Sequence, residues 1–296
     1  MKFKRNVKNT IAIITSIPAF IFLTSFLYKD HSAGKHTYIT TSIESQPKDK
    51  TFTVVIDPGH GGDKPGARGR KSLEKDIVLD VSIKLKARLE KDLPNAKVLL
   101  TRSTDVDVAF HKRTELANKN HADLFISIHA NSADRDVRVK NSRGRYVNSV
   151  KRNPGVRGTE TLVCGYNRLG EQDVAIRENA DILLEENYKE NYGGFDPNDP
   201  SSYIVFSLLK RQFRNQSIKL ASYMQNEYVK SNRGNRGVKE QSLAVLAYAG
   251  MPAVLTEIGF ISSPEEEDYM LSESGQQEIV KNLFDAVKSY KTSSGL

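Results

Sequence analysis

His60, His129 and Glu257 each stand where a short β-branched run ends. His60 follows Val54-Val55-Ile56-Asp57, His129 closes Leu124–Ile128, and Glu257 closes Ala253-Val254-Leu255-Thr256. A lone strand-end histidine is most often structural, but the carboxyl ends of strands in an open parallel sheet meet at one crevice. Residues far apart in sequence are carried there together. Two imidazoles with a nearby acid have the chemistry of a catalytic zinc site: three protein donors, an open fourth position for water, and a separate base. Glu74, at the start of the helix that follows the His60 loop, is the natural third ligand. The ordinary alternative for Glu74 is a first-turn acid facing the helix dipole.

The loop Asp57-Pro58-Gly59-His60-Gly61-Gly62 puts three glycines around one histidine. Glycine lets a backbone approach where a side chain would obstruct. Neither a P-loop nor a dinucleotide fingerprint has this spacing, and no Lys-Ser/Thr follows.

The elements that must position these residues alternate. Thr53–Asp57, Lys97–Thr101 and Asp123–His129 are expected strands. Between them, Glu74–Glu90 carries Ile77, Val81, Leu85 and Leu89 on one helical face, and a second helix is expected near Val106–Asn118. Further on come a strand at Thr161–Cys164, a long helix within Ser202–Lys230, a strand at Ala253–Glu257 and a last helix from about Gly275 to Tyr290. Ser263-Pro264-Glu265-Glu266 reads as an N-cap, a proline at N1 and a capping-box Glu. The pattern predicts an α/β fold: an open, mostly parallel twisted sheet with helices on both faces. An inserted helical or loop segment at about 134–200 interrupts it. There Arg135–Arg157 holds eight Lys/Arg and one acid, and Glu171–Asp199 holds nine acids and two Lys/Arg. The basic run is expected to be a solvated loop, and the two runs are expected to associate partly by opposite charge.

The 296-residue chain has a formal net charge of +8 and 38% hydrophobic residues, which fits a globular protein. Residues 1–50 carry 8 Lys+Arg against 3 Asp+Glu, leaving the other 246 near neutrality with 36 against 33. With one aromatic in the basic run, no nucleic-acid partner is expected. Cys164 is the single cysteine, so an internal disulfide and a cysteine zinc site are both excluded. Met1–Lys8 is basic, and Thr10–Tyr28 is a 19-residue uncharged, mostly apolar run. Residues 1–28 therefore read as an export signal or signal anchor, 29–50 as a polar linker, and 51–292 as the catalytic domain. The expected membrane contact is through the N-terminal segment only.

Asp57–Gly62, Glu74-Lys75-Asp76, Ser127-Ile128-His129-Ala130-Asn131, Gly158-Thr159-Glu160-Thr161 and Met251–Ser262 resemble, in order, the zinc-dependent N-acetylmuramoyl-L-alanine amidases of bacterial division and sporulation. The resemblance runs from about Thr53 to Tyr290. It implies a peptidoglycan hydrolase of the periplasm or cell envelope that cuts the amide between the lactyl group of muramic acid and L-alanine. It carries one Zn2+ onto His60, Glu74 and His129, and the catalytic carboxylate onto Glu257. The loop Gly61–Leu73 departs from the family pattern in its lysines and arginines, which bears on Glu74. A zinc endopeptidase or carboxypeptidase acting within the stem peptide, and a non-catalytic wall-binding relative, are the competing readings. Division-type relatives cover their zinc with an inserted helix. In this chain Val174–Leu184 is the candidate helix, with Glu178 first and Glu185 second as the carboxylate that fills the fourth position. A protein activator would then be the partner that opens it.

Overall fold

Strands whose apolar residues run without interruption need cover on both faces. The computed structural model describes residues 51–165, 172–197, 199, 202 and 213–296. The segment read as signal and linker lies outside these residues, as does the first part of the helix expected within Ser202–Lys230. The strands are β1 (Phe52–Pro58), β2 (Ala96–Leu100), β3 (Leu124–Asn131), β4 (Arg135–Lys140), β5 (Tyr146–Lys151), β6 (Thr159–Cys164), β7 (Asn235–Gln241) and β8 (Ala253–Phe260). Six of them form one sheet in the order β2-β1-β3-β8-β6-β7, and β4 pairs with β5 separately. The first four are mutually parallel; β6 runs antiparallel to β8, and β7 parallel to β6.

The helices are α1 (Glu74–Asp92), α2 (Phe110–Lys119), α3 (Asp173–Asn179), α4 (Tyr188–Asn191), α5 (Arg214–Lys230), α6 (Ala244–Ala247), α7 (Pro264–Leu271) and α8 (Glu273–Ser294). Side chains alternate across each strand, so one sheet makes two cores. On one face Val54, Ile56, Leu124, Ile126 and Val254 pack with Ile77 and Leu85 of α1, Met224 of α5 and Leu283 of α8. On the other, Val55, Phe125, Leu162 and Leu255 pack with Phe110 of α2, Val174 and Ala175 of α3, and Ile182. The insertion thus contributes to the second core. Ile182 is fully buried, and burial of such a side chain is worth about 1.5–3 kcal/mol.

Four expectations change. The basic run is an antiparallel ribbon, β4 with β5, and not a loop. Among the described residues none of its cations pairs with the acidic segment. The inserted helix stops at Asn179 and tightens into a 3-10 turn over Ala180–Leu184. The capping box does not form: Ser263 makes no side-chain cap bond, and Glu266 instead accepts from Phe260 N at 2.7 Å and meets Arg233 at 2.8 Å.

Candidate active site

Strand register brings the first pair together, because His129 and Glu257 are opposite one another on β3 and β8. His60 lies just beyond β1 with φ +57, a conformation uncommon for a residue with a Cβ and one that persists only when its surroundings impose it. Two buried arginines impose it. Arg102 donates to Pro58 O (3.0 Å) and Gly59 O (2.7 Å), while Arg113 donates to Pro58 O and His60 O, both at 2.9 Å. Three successive carbonyls of the loop are therefore held. Arg113 is itself fixed by Asp57 at 2.8 Å, and Asp57 also accepts from Thr101 (2.6 Å) and Ser127 (2.7 Å). Burial works against ionised Asp57, yet Arg113 and these two hydroxyls hold its carboxyl below the usual range.

Glycine allows the two histidines to close up. A Cβ on Gly59 would lie 2.4 Å from His129 Cε1, and one on Gly66, at φ +66, would lie 2.5 Å from His60 Cδ2 and 2.6 Å from Glu74 Oε2. Gly59→Ala is expected to push the His129 ring out of place. Dialysed protein analysed for divalent metal should hold well under half of what the parent holds, and full metal content would refute this packing role.

His60, Glu74, His129 and Glu178 form a buried group whose ligand-type atoms all lie within 4.8 Å of one another. His60 Nε2 is 3.2 Å from Glu74 Oε2 and 3.3 Å from Glu178 Oε2. His129 Nδ1 is 3.0 Å from both Glu74 Oε1 and Glu178 Oε2. Donors about 2.0–2.2 Å from a tetrahedral zinc stand about 3.3–3.6 Å apart, so these spacings need only a small relaxation to fit one. His60 Nε2 and Glu178 Oε2 are buried without a hydrogen-bond partner among the described residues. Such atoms are the expected faces of a metal site. Outer contacts orient the donors: Glu74 accepts from Ala67 N (2.8 Å) and Ala130 N (2.9 Å), and His60 Nδ1 meets Asp181 Oδ2 at 2.9 Å.

The electrostatics suit a cation. Burial opposes charge on the imidazoles, but Glu74, Asp181 and Glu178 raise His60 well above its ordinary value, and Glu178 with Glu74 raises His129 to about 9. Burial raises Glu257 well above the carboxylate range, with Glu178 and Glu74 adding to it and Arg177 opposing. Glu257 Oε1 faces Arg177 Nη2 at 3.3 Å, and Glu257 Oε2 has no hydrogen-bond partner among the described residues.

Glu178 and Glu185 part company. Glu178 reaches both histidines from α3, whereas Glu185 sits at the start of α2, accepting from Phe110 N (3.1 Å) and Tyr192 Oη (2.6 Å), with Lys64 at 3.5 Å. Sequence reasoning missed Asp57, Arg102, Arg113, Arg177 and Asp181. Only Asp57, inside an apolar strand run, carried a signal that could have found it.

Residues 54–289 match the protein family described as N-acetylmuramoyl-L-alanine amidase. The chain is similar to the N-acetylmuramoyl-L-alanine amidase AmiC of Escherichia coli O6:H1, 27% identical over 251 residues that make up 82% of this chain and 54% of that protein. It spans about half the length of the first curated relatives it matches. Among solved structures, it is similar to the N-acetylmuramoyl-L-alanine amidase from Clostridium difficile 630, with a TM-score of 0.57 and 25% identity, covering 82% of this chain and 98% of that one. The CwlD amidase from Clostridioides difficile, solved in complex with the GerS lipoprotein, shares the fold with a TM-score of 0.56 at 20% identity, covering 82% of this chain and all of that one.

Proposed function

This chain belongs to the N-acetylmuramoyl-L-alanine amidase family, and from that premise we propose that it hydrolyses the amide between the lactyl group of muramic acid and L-alanine in peptidoglycan. The observation that carries the reading is the buried convergence of two imidazoles and a carboxylate beside Glu257 at the strand ends. His60, Glu74 and His129 would hold zinc. When bound, zinc supplies a Lewis acid that polarises the amide carbonyl and lowers the pKa of water from about 15.7 toward 7. Glu257 takes the water proton on Oε2, the oxygen turned away from Arg177, and passes it to the departing nitrogen. That transfer matters because an unprotonated amine is a poor leaving group.

Digestion of purified sacculi followed by mass analysis tests the bond cut. Lactyl ends and free L-alanine amino termini are expected. Cuts further along the stem peptide would identify an endopeptidase, and no release by either the parent or a zinc-loaded Glu178→Ala variant would identify a binding protein.

The same reading makes the insertion an inhibitory plug. Glu178 occupies the position that water or the amide oxygen needs, and Arg177 engages both Glu257 and Asn131 Oδ1 (2.9 Å). The plug thus acts on the metal donors and on the base together. Glu185 serves as its latch on α2, and Val174, Ala175 and Ile182 seat it in the second core. Opening needs a partner that binds the displaced form preferentially, and a protein activator outside the cytoplasm fits that role. The complex described for the CwlD amidase supports a protein partner. Export would proceed through Thr10–Tyr28, as a cleaved signal or an anchor.

A further inference from the structure

The β4–β5 ribbon serves no packing purpose within the fold. All of β5 is exposed, and in β4 only Val137 is part-buried. Two-stranded ribbons are marginal in water, and this one also sets like charges opposite each other, Arg135 against Lys151, which costs stability. Residues 135–152 hold seven Lys/Arg and one acid. Among the described residues, the one cation of this stretch paired with a carboxylate is Arg152, which meets Asp134 at 2.6 Å and, with Asn153 N on Asp134 Oδ1 at 2.8 Å, staples the base. The base opens onto a groove beside the candidate site: Arg135, Asp136 and Asn153 line a cleft of about 1130 Å³ together with Asn131 and Arg177, and Arg177 in turn faces Glu257.

The arrangement of the exposed groups selects the ligand. Tyr146, 60% exposed, lies on one face between Arg138 (5.6 Å from its ring) and Lys140 (5.3 Å). Arg143 and Arg145 sit at the tip. An aromatic plane flanked by cations stacks a sugar ring and pairs with anionic groups attached to it. A bilayer would call for cations on one face and aromatic anchors on an apolar opposite face; here the opposite face carries Val137, Val139 and Val147 but no aromatic, and Tyr146 is on the cationic face. Single-stranded nucleic acid would call for several aromatics in series. The geometry points to an exosite for peptidoglycan itself, with a glycan ring on Tyr146 and stem-peptide carboxylates on Arg138, Lys140, Arg143 and Arg145. The identity of this polymer rests on the amidase reading. Ribbon and catalytic groove then hold one polymer at two points, which raises local concentration at the site.

Pelleting of the full chain with purified sacculi at low salt reads binding without reference to cleavage, so the ribbon and the amidase reading can fail separately. The R138Q/K140Q/R143Q/R145Q variant should bind roughly tenfold or more weakly, and Tyr146→Ala several-fold more weakly, as loss of complementary charge and stacking predicts. Charge-preserving R138K/R143K/R145K should bind close to the parent, which separates charge from a folding defect. Blocking sacculus carboxylates as amides should abolish the ribbon-dependent part, while stripping phosphodiester polymers with cold hydrofluoric acid should leave it. Equal pelleting of parent and R138Q/K140Q/R143Q/R145Q overturns the proposal. So does ribbon-dependent binding that survives carboxylate blocking, that disappears on phosphate stripping, or that occurs on anionic vesicles or RNA but not on sacculi.

Discussion

Glu257→Gln is expected to leave the fold and the zinc content intact and to slow turnover of sacculi by about 10²–10⁴-fold, the contribution of a positioned proton-transfer group. The amide is nearly isosteric and can still accept from Arg177 Nη2 through its carbonyl, so the pocket has no reason to collapse. It cannot take a proton at the position of Oε2. His129→Ala makes the contrast, since it removes one of three protein donors and should lose metal and activity together. Metal analysis beside initial rates separates the two outcomes. Near-parental rates in Glu257→Gln would remove Glu257 from the mechanism, and stoichiometric zinc in His129→Ala would remove His129 from the ligand set.

The parts legible in the sequence are those where polarity breaks an apolar pattern. His129 and Glu257 close strands of unbroken hydrophobicity, and their register across β3 and β8 follows from the strands lying parallel side by side. Arg102 and Arg113 were not legible: an arginine after a strand or in the first turn of a helix reads as solvated until its buried partner is located, for Arg113 the carboxylate of Asp57 and for Arg102 the carbonyls of Pro58 and Gly59. Strand β7 was equally hidden: Asn-Arg-Gly-Val-Lys-Glu-Gln has one apolar residue, enough for an edge strand that is covered on one side only. The ribbon carried a period of two in Val137 and Val139 against Arg138 and Lys140, but its density of charge argued for a loop. Charge repulsion raises the cost of pairing and does not forbid it.

Glu178 and Glu185 show a different limit. Seven residues apart, they would share one face of a continuous helix, so helical spacing offered no way to choose between them. The change to a 3-10 turn at Ala180 alters the advance per residue and swings Glu185 to the start of α2. Glu178→Ala is therefore expected to raise basal hydrolysis and Glu185→Gln to raise it less, by loosening the latch while leaving the plug carboxylate in being. If the covered form outweighs the open one by about 100 to 1, complete release gives up to about a hundredfold rise. Zinc content should not change, since His60, Glu74 and His129 all remain. The measurement is the initial rate on purified sacculi beside metal analysis of the same samples. A well-folded, zinc-loaded Glu178→Ala protein no faster than the parent would mean that the segment from Asp173 to Leu184 does not restrain the enzyme, and that Arg177 and Glu178 belong to substrate binding instead. Removing Arg177 separates these roles further: Arg177→Ala should accelerate the reaction if the guanidinium masks Glu257, and should raise KM if it holds the stem peptide.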